Sequence, residues 1–232
     1  MDANGQSEPE FDKSARSYEA LFKPWLKIAG APREYFARTR MEWLASLLRD
    51  LNITPKLALD FGCGTGMSLP LLEEIVGAKE LIGLDPSEES LAVARDLGQW
   101  KQLATPQAYV PPGDIDLVFC NGVFHHIPLD ERAEAIGYIY RCLRPGGIFA
   151  LWENNPWNPV HDFAMRHSEI DKHAIPVPPT ESRRLVGLER FEIIRTDYLF
   201  FFPGYFSWLR PLERLLVKVP VGAQYLVLAR KA

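Results

Sequence analysis

At 232 residues, with 47% apolar and 24% charged side chains, the chain is long enough to bury one α/β core and has little left for a second. A formal net charge of −4, with scattered basic residues, removes the electrostatic footprint that a nucleic-acid binder needs. Three widely separated cysteines, Cys63, Cys120 and Cys142, lack metal-ligand spacing and read as free buried thiols of a reducing compartment.

The polar, acidic opening from Met1 to Glu10 has neither the basic start nor the apolar run of a signal peptide, and no apolar stretch reaches membrane-spanning length. A cytoplasmic protein without a membrane span is therefore expected. Tyr18, Leu21, Phe22, Trp25 and Ile28 recur at helical spacing. Met41, Leu44, Leu47, Leu48 and Leu51 form a second stripe, which Asn52 and Pro55 stop. From Leu57 the pattern alternates. Leu57–Phe61 reads as a strand running into glycines, and a helix follows over 68–76. Glu80–Leu84 is a second strand. Ser87 then caps a helix with Glu88 and Glu89 in its first turn, where the helix dipole favours acids. Trp100–Leu103 is a third, weak strand and Ile115–Cys120 a fully apolar fourth. The next helix presents Ile136, Ile139 and Leu143 and is closed by Gly146 and Gly147, before a fifth strand at Ile148–Glu153.

Strands alternating with helices predict a parallel sheet covered on both faces. Beyond it, 154–190 is rich in Pro, His and Asn, with one or two short helices. Phe191–Phe202 is β-rich, Ala223–Arg230 is a last strand, and the aromatic insertion Pro203–Val221 is too long for a simple hairpin turn.

The first strand ends in Asp60-Phe-Gly62-Cys-Gly64-Thr-Gly66, a strand-loop-helix context in which glycines let a ligand approach the backbone. The third glycine arrives one residue earlier than in the dinucleotide fingerprint, with Met67 at the dinucleotide position. Asp60 stands where its charge would repel a diphosphate and suit a cation. Asp85 follows nineteen residues after Gly66, placed to accept from ribose hydroxyls. The implied ligand is an adenosine joined to a positively charged group.

Four segments, Asp60–Gly66, Gly83-Leu-Asp-Pro86-Ser87, Asp116–Ile127 and Leu143-Arg-Pro-Gly-Gly147, resemble in order the motifs of class I S-adenosylmethionine-dependent methyltransferases. The resemblance covers about 57–150. It implies a Rossmann-like α/β fold with a mostly parallel seven-stranded sheet whose last strand is antiparallel, and S-adenosyl-L-methionine as co-substrate. It also implies that the backbone at Gly62, Gly64 and Gly66 meets the methionine part, and that Asp85 with Pro86 holds the ribose. Ala104 and Thr105 would edge the adenine, where the usual acidic contact is missing. Asn121 lines the cofactor, and Tyr18 and Arg40 cover its methionine end. The chain then divides as one domain, with an N-terminal helical cap or mobile lid at 1–52, a cofactor half at 57–153 and an acceptor half at 154–232.

Methyl transfer from a sulfonium requires alignment, exclusion of water and, for a hydroxyl acceptor, removal of a proton. No metal is needed, and His125, His126 and His161 lack zinc-ligand spacing. His126 is the candidate base. Glu153, His161 and the aromatics near Phe202 and Tyr205 are the candidate walls of an apolar pocket for a small-molecule acceptor, of the kind made in polysaccharide or secondary-metabolite pathways. The aromatic C-terminal region is alternatively a homodimer contact. Rival readings are a methyltransferase-like protein that binds cofactor without turnover, a nicotinamide-dependent oxidoreductase, which Asp60 disfavours, and a nucleic-acid methyltransferase. For the last, the Asn/Asp-Pro-Pro-aromatic tetrapeptide is absent.

Overall fold

The computed structural model describes residues 30–166 and 174–232, apart from the side chains of His161, Ala164 and Arg166. Tyr18 and the helix expected around it lie outside the described residues. Helix α1 spans Arg33–Asp50 and leads into strand β1 at Leu57–Phe61. After the glycine loop come α2 (Ser68–Leu71), continued as a π-helical turn over Leu72–Val76, and β2 (Glu80–Leu84). Helix α3 (Glu88–Arg95) starts where expected, with the Ser87 hydroxyl accepting the Ser90 N–H at 3.1 Å. Strands β3 (Gln102–Ala104) and β4 (Ile115–Asn121) precede a 3-10 turn at Phe124–His126 and helix α4 (Arg132–Cys142). Then follow β5 (Leu143–Asn154), α5 (Pro159–Arg166), α6 (Pro179–Leu188) and β6 (Phe191–Leu199). The insertion holds a 3-10 stretch, Gly204–Leu212, and α7 (Glu213–Leu216), before β7 (Gln224–Lys231) closes the sheet.

Seven strands form one sheet in the order β3-β2-β1-β4-β5-β7-β6, with β7 antiparallel to both neighbours. Strand order reverses between β1 and β4, which opens a crevice beyond their carboxyl ends, where open α/β sheets bind ligands. Because β7 runs backwards, its first residue, Gln224, reaches that same edge, paired with Asn154 at the end of β5.

Side chains alternate along each strand, so the sheet buries two separate cores. On one face, α1 lays Met41, Leu44 and Leu48 against Leu117, Phe119 and Trp152. These three α1 side chains are essentially fully buried, each contributing roughly 1.5–3 kcal/mol. Helix α1 is thus a fixed layer of the sandwich, not the mobile lid expected of 1–52; the rest of that segment lies outside the described residues. On the opposite face, α4 and α6 pack Ile136, Ile139 and Val186 against Leu59, Val118 and Val227.

Gly146 and Gly147 do not close α4. That helix ends at Cys142 and β5 begins at once, with both glycines inside an irregular start where the β4–β5 register shifts. A side chain on Gly147 would press on the carbonyls of Ile115 and Arg144. At the edge of the sheet remote from the crevice, Asp116 accepts the Lys56 and Leu57 N–H groups and Arg144 Nε. This motif residue pins the start of β1 and has no place in the site.

Candidate active site

Strand alternation sorts the residues at the carboxyl edge into two sets. Asp60, Asn121, Trp152, Asn154 and Gln224 share the face covered by α1, whereas Glu153 and Tyr225 point to the face covered by α4 and α6.

On the α1 face the site is polar and incompletely paired. Asp60 is buried, and among the described residues its Oδ2 meets no donor; the same holds for the Asn121 Oδ1 acceptor. Arg40 enters from α1, 8% exposed, and donates from Nη1 to Gln224 Oε1 at 2.9 Å, while its Nε finds no acceptor among the described residues. Gln224 in turn donates to Asn154 Oδ1 at 3.0 Å. Asp60 and Arg40 feel each other's charge but form no ion pair. Burial, then the neighbouring Asp85 carboxylate, pushes the Asp60 carboxyl up to about 8, against the pull of Arg40. Burial, then the nearby Arg33 cation, lowers Arg40 to about 9, although Asp60 opposes the shift. Buried polar groups without partners are costly, and a ligand that brings an ammonium to Asp60 and a carboxylate to Arg40 removes the cost.

A measurable consequence concerns stability without ligand. Because the folded Asp60 carboxyl titrates above its unfolded value, the folded chain keeps a proton that the unfolded chain has released. Stability therefore falls as pH rises from the ordinary carboxylate range toward about 8. Asp60→Asn should abolish this term, worth on the order of 2 kcal/mol between pH 6 and pH 8. Urea denaturation of both proteins at the two pH values checks it, and identical pH slopes would refute the assignment.

The glycines of the loop divide their work. A Cβ on Gly62 would strike Val123, and one on Gly66 would strike Ala94 of α3, so both permit close packing within the protein. Gly64, at φ +52°, is the one where a Cβ would meet no described atom within 4 Å. It is the open point of the loop. The Asp85 carboxylate holds this loop, accepting the Gly64 N–H at 2.8 Å through Oδ2 and the Ser87 N–H at 2.9 Å through Oδ1. Carboxylate oxygens have lone pairs beyond these two bonds, so Asp85 can shape the loop and still accept from a ligand. Exposed Pro86 and half-buried Thr105 flank it at the ends of β2 and β3.

Across the sheet, Glu153 departs from expectation. Its side chain is completely buried: Oε1 accepts the N–H groups of Val123 and Phe124 at 3.0 and 2.7 Å, and Oε2 lies 2.6 Å from His125 Nδ1. Burial alone would raise its carboxyl, but the His125 charge, that hydrogen bond and the Phe124 N–H hold it below the usual range. A carboxylate without exposure and turned to these three donors does not face an acceptor, and Glu153 is a positioning residue. It grips the turn whose last residue is His126, half-buried, with its ring centroid 4.2 Å from that of buried His125. The His161 side chain lies outside what is described. Phe202 is half-buried, and Tyr205 is 79% exposed, so Tyr205 walls no enclosed cavity. Among the described residues, no group of three metal-ligating side chains occurs.

A model of a methyltransferase domain family matches residues 59–151, from β1 through β5. Trans-aconitate 2-methyltransferase of an Azoarcus species is 36% identical over 96 residues, 40% of this chain and 37% of that protein. The enzyme of the same name from Rhizobium rhizogenes is 26% identical over 170 residues, 61% of this chain and 60% of the relative. The chain thus spans less than two thirds of the length of these relatives. Among solved structures, an S-adenosylmethionine-dependent methyltransferase of Thermotoga maritima superposes with a TM-score of 0.65 at 18% identity, over 96% of this chain and 98% of that one. One from Archaeoglobus fulgidus gives 0.60 at 18%, over 82% and 94%. Residues 59–151 thus match a methyltransferase domain family, and the chain shares the fold of S-adenosylmethionine-dependent methyltransferases. The Asp60 and Asn121 acceptors and the Arg40 Nε donor, unpaired among the described residues, are chemically complementary to the zwitterionic methionine end of S-adenosylmethionine.

Proposed function

We propose that this chain transfers the methyl group of S-adenosylmethionine to a small acceptor bound at the carboxyl edge of the sheet. The observation that carries the reading is the buried Asp60 carboxyl with the buried Arg40 guanidinium, each with an atom unmatched among the described residues and no ion pair between them. An α-amino acid brings an ammonium and a carboxylate, and so satisfies both; a dinucleotide diphosphate satisfies neither Asp60 nor Asn121. Asp85 with Pro86 takes the ribose, Thr105 borders the adenine, and Gly64 admits the ligand to the loop backbone. When bound, the co-substrate supplies a carbon already activated for displacement. The protein's own work is to bind, align and keep water out.

His126 holds the acceptor proton where the acceptor is a hydroxyl. The relatives named for trans-aconitate make a small carboxylic acid the first acceptor class to assay. A carboxylate is ionised at neutral pH and needs no base, so His126→Ala separates the two classes: turnover of a hydroxyl acceptor should fall about 10²–10⁴-fold and that of a carboxylate hardly at all. Calorimetry tests the reading as a whole. Heat is expected with S-adenosylmethionine and S-adenosylhomocysteine and none with NAD or NADP; the reverse pattern would sink it.

A further inference from the structure

The connection from β6 to β7 leaves and re-enters the sheet at its carboxyl edge, beside the proposed site, and its apolar side chains face outward. Tyr205, Trp208 and Leu215 are 79%, 73% and 81% exposed. Ten of the fifteen large apolar side chains exposed among the described residues fall within 157–163 and 205–221, which concentrates them on one rim. The two stretches are tied together, since Asn158 donates to the Val221 carbonyl at 2.7 Å and Asn155 to those of Pro220 and Gly222.

This exposure is held in place by the backbone beneath it. The Glu213 carboxylate accepts the Phe200 and Phe202 N–H groups, the Arg210 guanidinium lies 4.0 Å over the Tyr35 ring, and Gly204 is pressed against the backbone of Gly30. Charge in the longer stretch is also sorted. The one acid within 204–221, Glu213, is turned inward and buried; of the cations there, Arg210 lies over Tyr35 and Lys218 pairs with Asp197 Oδ1 at 2.7 Å, while Arg214 is exposed. A protein of net charge −4 thus presents an aromatic rim that carries an exposed cation and no exposed acid within 204–221. Aromatic and leucine side chains interleaved with Arg and Lys are the composition of surfaces that lie in the headgroup layer of a bilayer, and contiguous apolar patches of this kind mark contact sites. No helix among the described residues is long and apolar enough to cross a membrane, so the contact is peripheral.

We propose that this rim is a bilayer-docking surface. Phe206, Trp208 and Leu215 enter the boundary between headgroups and acyl chains, Arg214 meets anionic headgroups, and the carboxyl edge of the sheet faces the membrane. The inference rests on exposure, charge and topology, and stands apart from the methyl-transfer reading.

The test is co-sedimentation of the full chain with vesicles of phosphatidylcholine alone or with about one third phosphatidylglycerol. Binding to both is expected, several-fold stronger on the anionic vesicles. Phe206→Ser, Trp208→Ser and Leu215→Ser combined should weaken it at least about tenfold on either vesicle. Arg214→Glu should erase most of the anionic preference and leave the neutral binding. Unchanged heat of S-adenosylhomocysteine binding in the triple variant controls for folding and keeps failure of this proposal distinct from failure of the functional one. Three results would overturn the proposal. They are no partition of the wild type onto either vesicle, partition that the triple variant retains, or light scattering that shows a dimer dissolved by the triple variant without vesicle binding. The last would give the rim to a second copy of the chain.

Discussion

Glu153→Ala is expected to destabilise the protein by about 3–5 kcal/mol, because it strands three donors at once in a dry interior. The carboxylate accepts from Val123 N, Phe124 N and His125 Nδ1, and no water is at hand to replace it around a side chain of zero exposure. Glu153→Gln keeps an oxygen for the turn but loses the charge facing His125, so an intermediate loss is expected. The pH dependence has a definite sign. The folded carboxyl is held below its ordinary value, so the stability it supplies is complete above the unfolded value of about 4.3 and is lost as pH falls through the lower folded value. Urea midpoints of the three proteins at pH 7, with the wild type followed into acid, make the measurement. A Glu153→Ala protein within about 1 kcal/mol of wild type would mean that the turn is held by something other than this carboxylate.

What was legible in the sequence was what is encoded locally. Glycine punctuation and short apolar runs located β1, β2 and β4, and with them Asp60, Asp85 and Asn121 at the carboxyl edge. The mostly parallel seven-stranded sheet and its antiparallel last strand were implied by the family resemblance, whereas the strand order needed the structure. The role of Glu153 was not legible, because it depends on β5 lying beside β4 and on two backbone N–H groups twenty-nine and thirty residues away. Periodicity places a residue on a face but does not say which loop meets it there. Arg40 was partly legible: Ala37, Arg40, Leu44 and Leu47 fall on one helical stripe, which buries the arginine rather than solvating it. Only the partner, Gln224 from the far end of the chain, needed the fold. The insertion was least legible. Its aromatic composition fits a pocket wall or a contact surface alike, and only the glycine contact to Gly30 and the Glu213 anchor show a backbone held so that Tyr205, Phe206 and Trp208 face out.

Asp85→Ala should weaken S-adenosylhomocysteine binding by at least about 100-fold, some 2.7 kcal/mol or more, and more than Asp60→Asn does. Loss of a charge-assisted acceptor for the ribose alone accounts for about 1.5–3 kcal/mol. The structure adds a second cost, because the same carboxylate holds the Gly64 and Ser87 N–H groups and so keeps the open glycine of the loop in position and the start of α3 in register. Both functions disappear together in the alanine variant. Asp85→Asn separates them: one amide oxygen can still take one of the two N–H groups, while the negative charge is gone, so an affinity between wild type and alanine is expected. Asp60→Asn instead leaves the loop untouched and removes only the charge complementary to an ammonium, at a cost of about tenfold, partly offset because the asparagine no longer has to give up a proton on binding. Calorimetry on folded variants, with the melting temperature of each as the check on folding, orders the series. If Asp85→Ala binds as tightly as the wild type, the ribose is held elsewhere and the adenosine must be placed differently along this edge. If Asp60→Asn is the more damaging of the two, the ammonium and not the ribose anchors the co-substrate.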